Sequence, residues 1–488
     1  MVMLQRWWWR LRVHPTWQLT AALIGVVIGL GVGSISFANI FASISWLFIG
    51  IIVVGLAVWH PYHVALVFAL LGGVLIGVWR GSTDYQTLAI FKPLIGKTIQ
   101  VTGRVSEDPD SNKDNATLLR LSDLHSGYRE LPSSVFVTIN QKNTIQRSDQ
   151  VTVEGTLQEG FGSFGATMYM PKLVDVLRPN PGDVALKLRD DFANHVRSGI
   201  EEPAASLGLG YLLGQRRALP SDLSDALKIA GLTHVVVASG YNLTILVRLI
   251  KRLFEKVSRF QTVFFSTLLV IGFILVTGLS PSMWRAGFVT LASLAAWYFG
   301  RKFHPLTLLA LAAALTGMIN PSYVYSNLGW QLSFAAFGGV MILAPLLQAY
   351  FFGSKKPSFV RQVLGETIAA QIVTAPLILY AFGTISNVAV VANLLILPLV
   401  PLAMLLTFVV GVIGYLIPPL VAIVGLPAQW LLNYMVFVAE KTAGLSWAQS
   451  EVHLSFIGAL LIFTAIVAGC IYMWRRTGLR LRDSNIVE

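Results

Sequence analysis

The sequence predicts a polytopic α-helical membrane protein of about 12 spans with one small extracytoplasmic β-barrel (OB-like) insert. Of its 488 residues, 55% are hydrophobic and only 12% are charged, and the mean hydropathy is +0.67. Apolar runs near the length that crosses a bilayer recur along the chain. One polar stretch, residues 92–178, instead alternates apolar and polar residues. A soluble globular enzyme is therefore excluded.

Residues 1–80 are predicted to form N-terminal transmembrane helices. The chain starts with a basic, tryptophan-rich segment around Arg6 and Arg10, and a long apolar run follows. A secretory signal peptide would have a shorter apolar run and a small-residue cleavage site, and neither is found. We interpret this run as the first span.

Basic residues in the loops indicate the orientation. They cluster at the N-terminus and at 248–259, 301–302, 355–361 and 475–482, whereas Lys441 stands almost alone in the loops of the other side. Because cytoplasmic loops are enriched in Lys and Arg, both termini are predicted to be cytoplasmic, in a multi-pass protein of the inner or plasma membrane. The net charge of +12 thus reflects topology more than a nucleic-acid surface.

The insert at 92–178 contains five short runs of period two separated by turn residues, which is typical of a small OB-like barrel. Such barrels hold single-stranded nucleic acid by aromatic stacking and a basic groove. Phe161 and Phe164, on a glycine-containing loop, are the candidate DNA contacts. Acidic and basic residues balance in the insert, so a structural or docking barrel is the alternative.

The rest of the chain divides into three predicted segments: amphipathic surface helices at 181–232, a transmembrane block at 233–474 and a cytoplasmic tail at 475–488. Polar residues at the start of the block include His234, Ser239 and Asn242. They could line an aqueous path or make interhelical hydrogen bonds. An intramembrane hydrolase with Ser239 as nucleophile and His234 as base is a further hypothesis, although no third group is identifiable.

Arg285 is predicted at the outer start of a span, where it opposes the cytoplasmic bias of the basic residues. It could guide phosphates, or its side chain could simply reach the interface. Other polar residues of the block lie near helix-breaking prolines, which indicates a pore. These further pore-lining candidates are Gln331, Ser333, Glu366, Gln371 and Asn393.

At these residues the sequence resembles the ComEC family of bacterial competence proteins. The matching stretches are Gly231–His234 with Ser239-Gly240, Pro281 to Ala286, Asn320-Pro321, Gly329–Phe334, and Ala369 through Pro398. The resemblance implies a channel that passes single-stranded DNA into the cytoplasm during natural transformation. It also implies a separate DNA receptor, nuclease and cytoplasmic motor.

The sequence departs from the family pattern in two ways. Asn242 stands where the family usually has histidine, and the C-terminal metallo-β-lactamase-like domain of many members is expected to be lacking. None of the histidines forms a metal-binding cluster, so no metal, no cofactor and no catalytic residue are predicted. A small-solute or lipid transporter is the remaining alternative.

Overall fold

The computed structural model describes residues 13–35, 40–60, 62–111, 116–140, 145–215, 219–236, 240–278, 281–300, 304–353 and 357–479. The chain divides into two compact units. The first unit comprises Met1–Asp183 and Lys302–Gln331, and the second comprises Val184–Arg301 and Leu332–Glu488.

Helices make up most of the described chain. In chain order they are α1 (Pro15–Gly33), α2 (Ile44–Trp59), α3 (Val64–Leu88), α4 (Val184–Arg197), α5 (Ala204–Leu213), α6 (Ser221–Ile229), α7 (Thr233–Val236), α8 (Gly240–Phe254), α9 (Arg259–Thr277), α10 (Pro281–Tyr298), α11 (Pro305–Ile319), α12 (Ser322–Ser326), α13 (Leu328–Gly338), α14 (Ala344–Phe352), α15 (Phe359–Phe382), α16 (Ala389–Ile396), α17 (Val400–Leu416), α18 (Val421–Ala443) and α19 (Phe456–Thr477).

The strands fall mainly between α3 and α4. They are β1 (Thr98–Val105), β2 (Asp110–Ser111), β3 (Thr117–Ser126), β4 (Arg129–Leu131), β5 (Val135–Ile139), β6 (Gln150–Glu159), β7 (Ala166–Tyr169) and β8 (Lys172–Leu177), with a separate antiparallel pair, β9 (Thr384–Ser386) and β10 (Gln449–Glu451), in the second unit.

Glycines set the packing of α1 against α3 in the first unit. A methyl group added at Gly29 would collide with the carbonyl oxygen of Val74, and one added at Gly77 would collide with that of Val26. The two backbones can approach this closely only because neither position carries a side chain. Gly31, on the same helix, has open space around it.

Five strands close into a barrel in the order β1-β3-β5-β7-β6, because β1 pairs with both β3 and β6. The β5–β7 pair is parallel, while the other pairs in the ring are antiparallel. This is the five-stranded OB-like arrangement. The predicted barrel insert is thus confirmed.

Alternation along the strands fills the barrel. Val101, Leu119, Val137 and Val153 have no exposed surface, while the neighbours of Val101 on β1 and of Leu119 on β3 are exposed or half-buried. Phe91, in the 3-10 turn that follows α3, is 1% exposed and belongs to the same core. The end of α3 is thereby packed into the barrel.

Two ion pairs hold the chain where it leaves the barrel. Arg147 Nε donates to Asp183 Oδ2 at 2.8 Å, and Arg178 donates to both oxygens of Asp149 at 3.0 Å. The hydrogen bond to Asp149 raises the pKa of Arg178 above its ordinary value. Since Asp149 is only 3% exposed, this pair is shielded from water on one side.

The main core of the second unit joins α4–α7 with α16–α18. Helix α5 lies within this core, and Ala204 to Leu212 are all buried. The prediction of amphipathic surface helices over 181–232 does not describe this helix, because its small apolar side chains allow close packing on every side. Helices α4 and α6 carry polar and charged residues.

Eight helices among the described residues are long and apolar enough to cross a membrane. They are Pro15–Gly33, Val64–Leu94, Arg259–Thr277, Leu328–Phe352, Phe359–Phe382, Ala389–Leu416, Pro418–Ala443 and Phe456–Thr477. Three more apolar helices are shorter: Ile44–Trp59, Ala204–Leu213 and Pro305–Ile319. The multi-pass helical architecture is confirmed, with fewer qualifying spans than the predicted number of about twelve.

The Leu328–Phe352 span contains a π-helical turn at Gly339–Leu343 between α13 and α14. Pro345 follows this turn, and proline has no amide hydrogen to donate to the carbonyl four residues earlier. The irregular backbone packs closely on α15, since a methyl group added at Gly339 would lie 2.8 Å from Ala369 O.

Candidate functional site

An aromatic cluster lies on the outside of the barrel. Phe136, Phe161 and Phe164 form a triangle with ring centroids 5.1–5.5 Å apart. Arg120 joins them, with its guanidinium 5.9 Å from the ring centroid of Phe164. We call these four residues the aromatic face.

Strand register brings the aromatic face together. Arg120 on β3 lies directly opposite Phe136 on β5, and both are at outward positions between buried neighbours. Phe161 and Phe164 come from the β6–β7 loop. OB-folds bind oligonucleotides with the faces of their second and third strands and the loop between their fourth and fifth. The aromatic face occupies the corresponding positions of this barrel.

The β6–β7 loop has a defined shape. Phe164 N donates to Phe161 O at 3.1 Å, Gly162 has a φ of +58°, and Gly165 N donates to Ser134 O at 2.9 Å. Gly162 is favoured at this positive φ because it has no Cβ. The turn leaves Phe161 55% exposed, so its ring is available to a ligand.

Arg120 is the cation of the aromatic face and already has an acidic neighbour. Its Nη1 donates to Glu107 Oε2, and both side chains are partly exposed. An exposed pair of this kind contributes little to stability, so exchanging the carboxylate for another anion costs little. The aromatic face can therefore offer ring surfaces for stacking and one cation, Arg120, whose carboxylate partner another anion can replace.

The loop of the aromatic face adjoins α12 in the same unit. A Cβ built on Gly162 would lie 3.5 Å from Ser326 O. The segment around α12 is rigidly bonded: Trp330 Nε1 donates to Thr316 Oγ1 at 2.9 Å, and Gln331 Nε2 donates to Val324 O at 3.0 Å. Gln331, a predicted pore-lining residue, thus hydrogen-bonds to the backbone of α12.

Arg285 lies in the second unit and is 9% exposed. Its guanidinium is 5.6 Å from the ring centroids of both Phe334 and Phe337. Its buried Nε has no hydrogen-bond partner among the residues that the structure describes. We call Arg285, Phe334, Phe337 and Gly240 the arginine cluster, because a Cβ built on Gly240 would lie 3.6 Å from Arg285 Nη2.

Two predicted asparagines are buried with different partners. Asn242 has no exposed surface, and its Nδ2 donates to Tyr211 O at 2.9 Å and to Val235 O at 3.4 Å. Asn393 is 4% exposed, and its Nδ2 donates to Ala389 O within its own helix. The contacts of Asn242 join α8 to α5 and α7, which is a packing role.

The other predicted residues of the block that the structure describes lie on α7, α13 and α15. Ser333 and Gln371 are half-buried on α13 and α15, and Glu366 on α15 accepts a hydrogen bond from Gln362 at 2.9 Å. His234 is exposed on α7. Ser239 lies outside the described residues, so the hydrolase hypothesis stays without a described geometry.

Sequence reasoning missed Arg120, Phe136, Phe334 and Phe337. Phe136 could have been recognised from the sequence. A large apolar residue at an outward position of an alternating strand usually contacts another side chain or a ligand. Phe334 and Phe337 are three residues apart and so share a helix face. Their meeting with Arg285 is a tertiary contact that no local pattern indicates.

Metal-binding groups are not found in the described ranges. No cluster of three or more His, Cys, Asp or Glu side chains there could hold a metal ion. Cys470 is half-buried in α19 and is free.

Comparisons with known proteins match the membrane block. A family model described as "Competence protein" matches residues 211–477. ComE operon protein 3 of Bacillus subtilis (strain 168) is 23% identical over 230 residues, which cover 47% of this chain and 29% of that protein. The chain therefore corresponds to less than a third of this relative. No solved structure matches.

Proposed function

Because this chain belongs to the competence protein family, we propose that it conducts single-stranded DNA across the cell membrane during natural transformation. Family membership indicates a role in DNA uptake, and the candidate spans indicate a multi-pass membrane protein. The observation that carries the single-strand assignment is the aromatic face. Stacking on aromatic rings requires unpaired bases, because a base within a duplex is already stacked on its neighbours.

The aromatic face is proposed to receive the strand. Exposed Phe161 offers a ring to one base, with Phe136 and Phe164 beside it, and Arg120 exchanges Glu107 for a phosphate. This chemistry does not distinguish base sequences, as uptake of arbitrary DNA requires. No covalent step is proposed.

The membrane part of the proposed path includes His234, Ser239, Arg285, Ser333, Glu366 and Gln371. Asn242, Gln331 and Asn393 are left out, because each donates its amide to backbone carbonyls. We also propose that the chain crosses the membrane about twelve times, which is more often than the eight described helices that qualify by length and hydropathy. The proposal also includes a separate receptor, nuclease and cytoplasmic motor.

The barrel is proposed to lie on the extracytoplasmic side of the membrane with both termini in the cytoplasm, as the distribution of basic residues indicates. Tyr128, in the β3–β4 turn, is fully exposed and offers a reporter position. Impermeant maleimide should label Tyr128→Cys on intact cells in a Cys470→Ser background. Protection of this cysteine until the cells are lysed would reverse the orientation.

Binding of single-stranded DNA tests the aromatic face. We expect Phe161→Ala in the purified full chain to weaken binding of an oligothymidylate by about 1–3 kcal/mol, the usual contribution of one stacked base. Glu107→Gln should strengthen binding, because it leaves Arg120 free for phosphate. Fluorescence anisotropy of a labelled strand measures both changes.

Tyr128→Ala is the matched control, since it removes another exposed aromatic ring from the same barrel. It should leave the affinity unchanged. If Phe161→Ala and Tyr128→Ala both bind as the wild type does, the aromatic face is a docking surface for protein and not the strand-binding site.

A further inference from the structure

The environment of Arg285 is unusual for a cation. The residue is about nine-tenths buried. Among the described residues its Nε has no acceptor and no carboxylate forms an ion pair with it. Its neighbours on α13 are the rings of Phe334 and Phe337. A buried charge normally has a paired, hydrogen-bonded partner, because removing it from water is costly.

The two phenylalanine rings compensate only part of this cost. The rings attract the guanidinium through cation–π contacts. They do not provide its N–H groups with strong hydrogen-bond acceptors. The Nε N–H therefore still lacks an acceptor among the described residues. An anionic ligand would supply that acceptor and offset the cost of burying the charge.

Gly240 packs closely beside Arg285 and Ala286. A Cβ at this position would lie 3.1 Å from the Cβ of Ala286 and 3.6 Å from Arg285 Nη2. Any larger residue would therefore place atoms beside the guanidinium. The same glycine begins α8.

We propose that the arginine cluster binds a phosphodiester group of a nucleic-acid backbone. A guanidinium presents parallel N–H donors that match two oxygens of a phosphate, whereas an ammonium would offer only a point charge. Phosphate contacts carry no base information, so the site does not select sequence. This inference rests on the proposed function. It adds that the arginine cluster in the second unit holds a backbone phosphate of the DNA strand.

An abasic deoxyribose-phosphate oligomer tests the site separately from the aromatic face, because it has phosphates but no bases to stack. For purified full chain in a phosphate-free detergent, we expect Arg285→Ala to weaken binding of this oligomer about tenfold. The dependence of log affinity on log salt should fall by about 0.7, the value for one phosphate contact on a single strand. Arg285→Lys should bind with intermediate affinity, since it keeps the charge and loses the fork.

Arg248→Ala is the matched control, because it removes an exposed arginine from α8 in the same unit. It should leave binding of the abasic oligomer within about twofold of the wild type. Equal weakening by Arg248→Ala and Arg285→Ala would mean that the oligomer responds only to the net charge of the protein, and would overturn the proposal. So would phosphatidylglycerol competing as well as the oligomer at equal phosphate, because the site would then hold a lipid headgroup.

Arg285→Met keeps a long side chain without the charge and separates ligand binding from a structural role. A ligand site predicts an unchanged or higher thermal unfolding midpoint for this variant, since an unpaired buried charge is removed. A clearly lower midpoint would show that Arg285 braces the helices through its aromatic contacts, and would overturn the proposal. Failure here, with normal stacking on the aromatic face, would leave the proposed function in place.

Discussion

Asn242 and Arg285 are both buried polar side chains of the second unit, but their surroundings differ. The amide of Asn242 donates to two backbone carbonyls, while Arg285 Nε has no acceptor in the part of the chain that the structure describes. A satisfied buried group stabilises the fold, whereas an unsatisfied one costs free energy that a ligand can recover. This contrast is why we assign packing to Asn242 and ligand binding to Arg285.

Truncating Asn242 should therefore affect stability. We expect Asn242→Ala to lower the free energy of unfolding by about 1–3 kcal/mol, because the carbonyls of Tyr211 and Val235 lose their donor in a dry environment. The thermal unfolding midpoint in detergent measures the change. DNA uptake should fall only as far as the amount of folded protein falls.

Asn393→Ala is the control at a second buried asparagine. Its Nδ2 donates to Ala389 O within α16, and its Oδ1 has no hydrogen-bond partner among the described residues. It should therefore lower the midpoint less than Asn242→Ala does. Equal midpoints for the two variants would contradict the role of Asn242 in joining three helices.

At the scale of elements, the approach of α1 to α3 depends on glycine. Gly29→Ala should cost about 1–3 kcal/mol, the range for overpacking, because its methyl group would collide with Val74 O and the backbone cannot yield locally. Fluorescence-detected size-exclusion chromatography after heating would report the loss of folded protein.

Gly31→Ala makes the same chemical change on the same helix where there is open space. It should be neutral or slightly stabilising, since alanine favours helix more than glycine does. If both variants lose stability alike, helix propensity or lipid contact governs this region, and close packing does not.

Elements with a local signal could be predicted from the sequence. Period-two alternation indicated the barrel, and apolar length indicated most spans. The burial of α5 could not be recognised, because small apolar residues between charged segments suit either a surface or a tightly packed core. The π-helical turn before α14 likewise depends on how Pro345 is accommodated within a long span.

The candidate sites were less predictable than the fold. Phe161 and Phe164 stood out because they share a short glycine loop, but Arg120 and Phe136 join them only through the β3–β5 register. Arg285 stood out by its charge, whereas its contacts with Phe334 and Phe337 require helices distant in sequence to meet. Local patterns indicate which residues are unusual, and long-range pairing determines what they contact.

For the whole molecule, the two proposed contacts have different support. The family match at 211–477 includes the arginine cluster, whereas the barrel lies before it and its role rests on the geometry of the aromatic face. In the proposed function the two contacts are complementary, since the first is proposed to recognise unpaired bases and the second to hold a backbone phosphate. The central claim is therefore passage of a single strand through the assembled chain.

Transport into liposomes that contain only the purified full chain tests this claim most directly. An imposed potential, positive inside, would supply the driving force on the phosphates, because the chain is proposed to be a passive conduit. We predict that a labelled single strand becomes resistant to added nuclease, that a duplex of the same sequence does not, and that Arg285→Ala slows entry. A single strand that stays fully sensitive to nuclease, or a duplex that enters equally well, would contradict the account.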